Sequence, residues 1–264
     1  MEKAKKRTVV ITGASSGIGK CLKEMFEAAG DDVLGLSRTD CGSGFRECDV
    51  TDREAVRSCI DSIGMEYGKI DILINNAGVG ISGALELTRD EDYDTVIKTN
   101  LNGVFNVSRA AIKYMKRGSR IINISSVCAL FALPFRSLYC AAKAAVEMLS
   151  YGLRMELKDS GIAVVAVCPG EIKSGFTKHR IKNFATVERY GDRIERATNA
   201  IDKKEDRRME LKTACKKIYR IATRKKGAMY IVGFKYKLLH FVSRFLPVGA
   251  MLSATGALMG GKGK

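Results

Sequence analysis

Residues 8–19, Thr8-Val9-Val10-Ile11-Thr12-Gly13-Ala14-Ser15-Ser16-Gly17-Ile18-Gly19, decide the fold. The first five are β-branched or apolar, short enough for a buried strand and too short for a helix. Three glycines then break the run: Gly13 permits a tight turn, Gly17 a close backbone approach and Gly19 tight helix–strand packing. The apolar and charged periodicity of Gly19–Ala29 reads as a helix.

The same alternation continues outward. Val33–Ser37, Ile70–Ile74, Arg120–Ile124 and Ile162–Val167 are short apolar runs rich in Val and Ile, the lengths of buried parallel strands. Asp52–Tyr67, Asn102–Lys116 and Leu138–Lys158 are helix-like stretches between them, the last with Val146, Leu149, Leu153 and Leu157 at helical spacing. Strand–helix alternation predicts an α/β fold, a Rossmann-like doubly wound parallel sheet of about seven strands. Met229–Val232 reads as its last strand. With 264 residues, 46% hydrophobic and three prolines, the chain suits one packed domain, residues 1–264. None of the eight cysteines forms a CxxC pair, so reduced, mostly buried thiols in a cytoplasmic protein are expected, with no metal site. Met1–Arg7 is basic and has no apolar core, so no signal peptide is read there.

A strand, a glycine turn and a helix start make an anion site, because the free N–H groups at the helix start face the ligand. Ser15, Ser16 and Ile18 complete this loop around Gly13, Gly17 and Gly19. A dinucleotide pyrophosphate is the ligand such a loop takes. An acid at the end of the second strand would repel a ribose 2′-phosphate; Ser37 and Arg38 stand there instead. A hydroxyl beside a guanidinium favours NADP(H) over NAD(H). Arg38 also has the plainer reading of a solvated charge, and Asp40 is placed to neutralise it.

Tyr139 and Lys143 are four apart, so a helix puts them on one face. A free tyrosine has a pKa of about 10, and a neighbouring ammonium favours the phenolate, which would make Tyr139 a general acid/base. Other motifs accompany the pair in a fixed order. Asn75-Asn76-Ala77-Gly78 follows one strand, Thr99-Asn100-Leu101-Asn102-Gly103 opens a helix, Ser125-Ser126 follows the next strand, and Pro169-Gly170 the one after. With the GxxxGxG loop and Tyr139-Cys140-Ala141-Ala142-Lys143, these motifs resemble the single-domain short-chain dehydrogenase/reductase family over about residues 8–175.

The resemblance implies a catalytic set of Asn100, Ser126, Tyr139 and Lys143. Ser126 would hydrogen-bond the carbonyl oxygen, Tyr139 move the proton, Lys143 lower the Tyr pKa and hold the nicotinamide ribose, and Asn100 anchor a water. Asp49 and Val50 resemble the adenine contacts, with an ordinary loop role as the alternative for Asp49. Asn76, Ala77, Gly78, Pro169, Gly170 and Ile172 would line the cofactor, and Ser174 stands where the family has a threonine. The implied activity is hydride transfer between nicotinamide and a carbonyl or alcohol carbon. Dimers or tetramers packed through Asn102–Lys116 and Leu138–Lys158 are implied too. A binding regulator without chemistry is the other class, and the complete tetrad argues against it.

The net charge is +16, and all of it lies beyond residue 172: residues 1–172 hold 22 basic and 22 acidic residues, residues 173–264 hold 23 and 7. Residues 173–226 read as basic and helical, with Leu211, Ala214, Cys215, Ile218, Ile221 and Ala222 as one apolar stripe, and the resemblance implies that they form a lid over the substrate. A solvated face, peripheral docking on anionic membrane, and a site for an anionic carrier or substrate are the three readings of that charge. No base-stacking pattern supports nucleic acid. The tail, residues 234–264, is apolar; its uncharged run Phe245–Gly261 has 17 residues and a proline, too short and broken to span a bilayer. Tyr230-Ile231-Val232-Gly233, Leu238-Leu239 and Leu246-Pro247 loosely resemble the hydroxysteroid and retinol dehydrogenase branch, which implies a hydrophobic, lipid-like substrate such as a steroid, retinoid or acyl chain. A 3-oxoacyl thioester is the alternative.

Overall fold

The computed structural model describes residues 6–39, 41–183, 187–202, 208–224 and 226–260. Asp40 and Gly261 lie outside them, as do five residues of the basic leader.

Seven parallel strands form one sheet: β1 (Thr8–Thr12), β2 (Asp32–Ser37), β3 (Phe45–Glu47), β4 (Ile72–Asn75), β5 (Arg120–Ile124), β6 (Ala163–Pro169) and β7 (Met229–Val232). Their order across the sheet is β7-β6-β5-β4-β1-β2-β3. β1 pairs with β2 on one side, Val9 opposite Val33, and with β4 on the other, Val9 opposite Ile72. Strand order reverses between β1 and β4, and the loops leaving their carboxyl ends therefore diverge to leave a crevice.

Period-2 alternation sends β1 side chains to both faces, and both faces are covered. Val9 and Ile11 pack with Leu22 and Phe26 of α1 (Gly17–Ala28) and with Ile218 of a later helix. Val10 packs on the other face with Ile60 of α2 (Arg53–Tyr67) and Val107 of α4 (Gly103–Ala111). Asp52 starts α2 by accepting from the amides of Glu54 and Ala55, and Gly68, at φ 71°, stops it. The helix expected over Asn102–Lys116 is part of a longer assembly: α3 (Asp90–Ile97), a π-helical turn at Lys98–Asn102, then α4. The polar segment of α3 gave no apolar stripe to read. α5 (Ser137–Glu156) carries Tyr139 and Lys143.

The stretch expected as a lid divides in two. Among its described residues before Arg193 there are only short strands and turns, followed by α6 (Arg193–Asp202). α7 (Leu211–Arg224) packs with α1 against the sheet, its stripe Ala214, Cys215, Ile218, Ile221 and Ala222 buried. The reason is topological: β7 runs parallel to β6, so the chain between them must cross over a sheet face. The tail folds into α8 (Phe234–Ser243) and α9 (Val248–Gly260), separated at Pro247. Among the described residues no helix is long and apolar enough to cross a membrane.

Candidate active site

At the carboxyl ends of β1, β4, β5 and β6 lies a cavity of about 1180 Å³. Gly13, Ser15, Ser16, Gly17 and Ile18 line it, as do Ser37, Arg38, Asp49, Val50, Asn76, Ala77 and Gly78. Pro169, Gly170, Ile172 and Ser174 close another side, with Ser126, Tyr139 and Lys143 between. Thus every expected cofactor residue reaches the cavity except Gly19.

Gly19 sits behind the loop for a packing reason. A Cβ there would lie 2.2 Å from the Gly13 carbonyl oxygen and 2.6 Å from Asn76 Nδ2. Gly13 and Gly17 adopt φ of 62° and 51°, the left-handed region. Thr12 ties this loop to β4: its hydroxyl accepts from the amides of Asn76 (2.9 Å) and Ala77 (3.0 Å). Asn76 Nδ2 in turn donates to the carbonyls of Thr12 and Gly13, each at 3.1 Å. The loop is therefore a fixed cradle with exposed backbone, and these residues fit a dinucleotide. Asp49 uses Oδ1 to accept from the Thr51 amide at 2.8 Å, an Asx turn that presents the cavity-lining Val50. Arg38 is exposed and has no acidic partner among the described residues.

Tyr139 and Lys143 are 6% and 4% exposed. Lys143 Nζ donates to the Ile124 carbonyl at 2.9 Å and stands 5.9 Å from the centre of the Tyr139 ring. Burial pulls its pKa down to about 8, opposed by the Cys168 and Cys128 thiols. Burial likewise pushes the Tyr139 phenol above its ordinary value, and the Cys128 thiol adds to that; Arg136 and a hydrogen bond with Ser126 oppose it. Desolvation of Tyr139 thus acts against the pull of the Arg136 guanidinium.

Asn100 is fully buried in the π-helical turn. Its Nδ2 donates to the carbonyls of Val79 and Val96, both at 2.9 Å, and Oδ1 accepts from the Val79 amide at 3.3 Å. A Cβ on Gly78 would lie 2.8 Å from Asn100 Oδ1 and 3.5 Å from Lys143 Nζ, so Gly78 is the slot through which the two approach. Ser126 Oγ accepts from the Cys128 amide at 3.1 Å. Ser125 is structural: its hydroxyl donates to the Lys143 carbonyl at 2.8 Å.

Sequence reasoning missed several neighbours. The Arg136 guanidinium lies 4.7 Å from the centre of the Tyr139 ring and has no acidic partner among the described residues. Phe135 holds it there in a left-handed conformation, φ 59°, its carbonyl accepting from the Gly83 amide at 2.9 Å. Arg136 precedes Tyr139 by three residues, a spacing that could have drawn notice. Phe176 packs 6.0 Å from the Tyr139 ring. Glu171 faces Tyr236 of α8, whose phenol is raised by burial and by that carboxylate. Lys235, Tyr236, Leu239 and Thr255 of α8 and α9 also line the cavity, contacts that no local motif announces.

Residues 7–184 match the short chain dehydrogenase family. A 3-ketodihydrosphingosine reductase of Bacteroides thetaiotaomicron is 39% identical over 75% of this chain and 76% of its own length. A 3-oxoacyl-(acyl-carrier-protein) reductase of Thermotoga maritima is 35% identical over 65% of this chain and 76% of its own. The solved structure of ElxO with NADP bound superposes with a TM-score of 0.70 at 26% identity, covering 88% of this chain and 99% of that one. With the glycine cradle, the buried Tyr139–Lys143 pair and the Ser126 hydroxyl at one crevice, the chain belongs to the short chain dehydrogenase family, oxidoreductases that interconvert keto and CH–OH groups with a nicotinamide dinucleotide.

Proposed function

We propose that this protein, residues 1–264 acting as a single domain, reduces the keto group of a long-chain 3-keto lipid with NADPH. The observation that carries the reading is a buried Tyr139 in a cavity whose adjoining walls include the apolar Val127, Phe131, Leu133, Phe176 and Leu239. The glycine loop Gly13–Gly17 with Asn76, Ala77 and Gly78 would hold the dinucleotide, which when bound would supply the hydride for the carbonyl carbon. Ser126 donates its hydroxyl hydrogen toward the carbonyl oxygen and stabilises the charge that develops there. Tyr139 gives its proton to that oxygen. Lys143 then favours the phenolate left behind, and Asn100 holds the Val79 backbone against Gly78 so that Lys143 keeps its place.

The 2′-phosphate of NADP(H) would meet the exposed Arg38 guanidinium and the Ser37 hydroxyl, with no acid among the described residues paired to Arg38. The relatives support two substrate types, a ketosphingoid base and a 3-oxoacyl thioester, and the greater identity favours the first. Exposed Phe105, Met148 and Met155 on α4 and α5 support a dimer or tetramer packed through those helices. The protein is read as cytoplasmic, resting on anionic membrane through its basic C-terminal third. Residues 211–264 contain no Asp or Glu, and α8 with the turn after it exposes Phe234, Phe241 and Phe245.

The test is NADPH oxidation with a long-chain 3-ketosphingoid base, a 3-oxoacyl thioester and a steroid ketone. The ketosphingoid base should turn over fastest, and Tyr139→Phe should lose about 100-fold or more of kcat. No turnover of any ketone by the wild type, or full activity in Tyr139→Phe, rejects the mechanism.

A further inference from the structure

Six of the eight cysteines fall two to an apolar cluster: Cys48 and Cys59, Cys21 and Cys215, and Cys128 and Cys140. The third pair differs from the other two in its setting. Cys128 lines the cavity in the short helical turn after Ser126, and Cys140 follows Tyr139 directly on α5. Both thiols belong to the apolar cluster that holds the Tyr139 ring. Arg136, without an acidic partner among the described residues, points Nη1 at Cys128 Sγ from 3.9 Å. Cys140 Sγ lies 3.9 Å from the Phe131 carbonyl.

We propose that Cys128 is a modification site for small peroxides, that Cys140 resolves it as a disulfide, and that the bond shuts down the adjacent active site.

The groups around Cys128 favour this chemistry. The hydrogen bond from the Cys140 thiol does most to hold the Cys128 thiol below its ordinary range, and Arg136 and Ser126 add to it; burial and the Glu171 carboxylate oppose them. Cys128 lines the cavity beside the Arg136 guanidinium and Cys140 does not line it, so Cys128 is the thiol that meets the peroxide and Cys140 the one that resolves it. The cavity that admits a ketone also admits a peroxide to Cys128.

The steps balance. The Cys128 thiolate attacks one peroxide oxygen, an S–O bond forms, the O–O bond breaks, and the departing hydroxide takes a proton to become water. The Cys140 thiol then loses its proton, its sulfur attacks Cys128 sulfur, and hydroxide leaves to become a second water. The two sulfurs lose two electrons together, and the peroxide gains them. The new bond ties the turn beside Ser126 to the residue after Tyr139. Displacing either hydroxyl by about 1 Å is enough to lower turnover about 100-fold.

The experiment treats the full chain with hydrogen peroxide, caps remaining thiols with N-ethylmaleimide and maps the peptides without reductant. The expected result is a Cys128–Cys140 linked peptide, about 2 Da lighter than the two thiol peptides together. Activity should fall at least tenfold and return with dithiothreitol. In Cys140→Ser the thiolate has no resolving partner, so Cys128 should gain about 32 Da as sulfinic acid and activity should not return. Cys128→Ser should keep most of its own starting activity through the same treatment. A link only at Cys48–Cys59 or Cys21–Cys215, with Cys128 and Cys140 both capped, overturns the proposal. So does loss of activity in Cys128→Ser at the wild-type rate. The activity arm rests on the ketone-reductase reading; the peptide map does not, so the two can fail separately.

Discussion

Replacing Lys143 by Met should make the ligand-free protein more stable at neutral pH while removing its activity. Lys143 is 4% exposed, and burial depresses its pKa from 10.5 to about 8. At pH 7 the group is still charged, and that depression corresponds to about 3 kcal/mol against the folded state. Met removes this penalty at similar length. It also removes the 2.9 Å hydrogen bond to the Ile124 carbonyl, which costs about 1–2 kcal/mol because the carbonyl is left buried. The net gain is about 1–2 kcal/mol, or about 2–6 °C in Tm for a chain of this size. The pH dependence has a definite sign. A depressed folded pKa means the unfolded chain binds more protons between pH 8 and 10.5, so wild-type stability rises through that window. About 2 kcal/mol of the penalty is recovered by pH 9.5, while the Met variant has nothing to recover there. The Tm advantage should therefore vanish or reverse at pH 9.5. Thermal unfolding followed by circular dichroism at pH 7.0 and 9.5 measures it, with NADPH oxidation alongside. A variant less stable than wild type at pH 7, or a Tm difference unchanged by pH, would refute the reasoning.

Other outcomes follow from the same geometry. Gly19→Ala pushes a methyl against the Gly13 carbonyl and Asn76 Nδ2, which costs about 1–3 kcal/mol, and should weaken NADPH binding at least tenfold by fluorescence titration; unchanged affinity would show that the loop yields. Arg38→Ala should weaken NADPH about tenfold and leave NADH unchanged, since only the 2′-phosphate is lost from the guanidinium's reach; an unaltered preference rejects Arg38 as the selector. Vesicles containing phosphatidylglycerol should carry the protein upward in flotation at low salt and release it at high salt, because the attraction is screened; absence from the floated fraction at low salt rejects membrane docking.

The sequence reading succeeded where chemistry is local. Thr8–Gly19 fixed a strand, a turn and a helix start because β-branching and positive φ act within a few residues. It fell short where tertiary contact decides. The apolar stripe of α7 was legible, but not that it faces α1 and the sheet, which depends on β7 pairing with β6. Arg136 illustrates the same limit at the site. Its residue type is that of a surface charge, and only the left-handed turn at Phe135 lays it on the Tyr139 ring. The Tyr–Lys spacing likewise placed both groups on one helix face, yet it could not weigh burial against charge. Desolvation raises Tyr139 and lowers Lys143 together, so each is drawn toward its neutral form. Burial alone therefore makes the phenol slower to give up its proton and the ammonium readier to lose its own. That balance is set by burial, which the spacing of the motif does not carry.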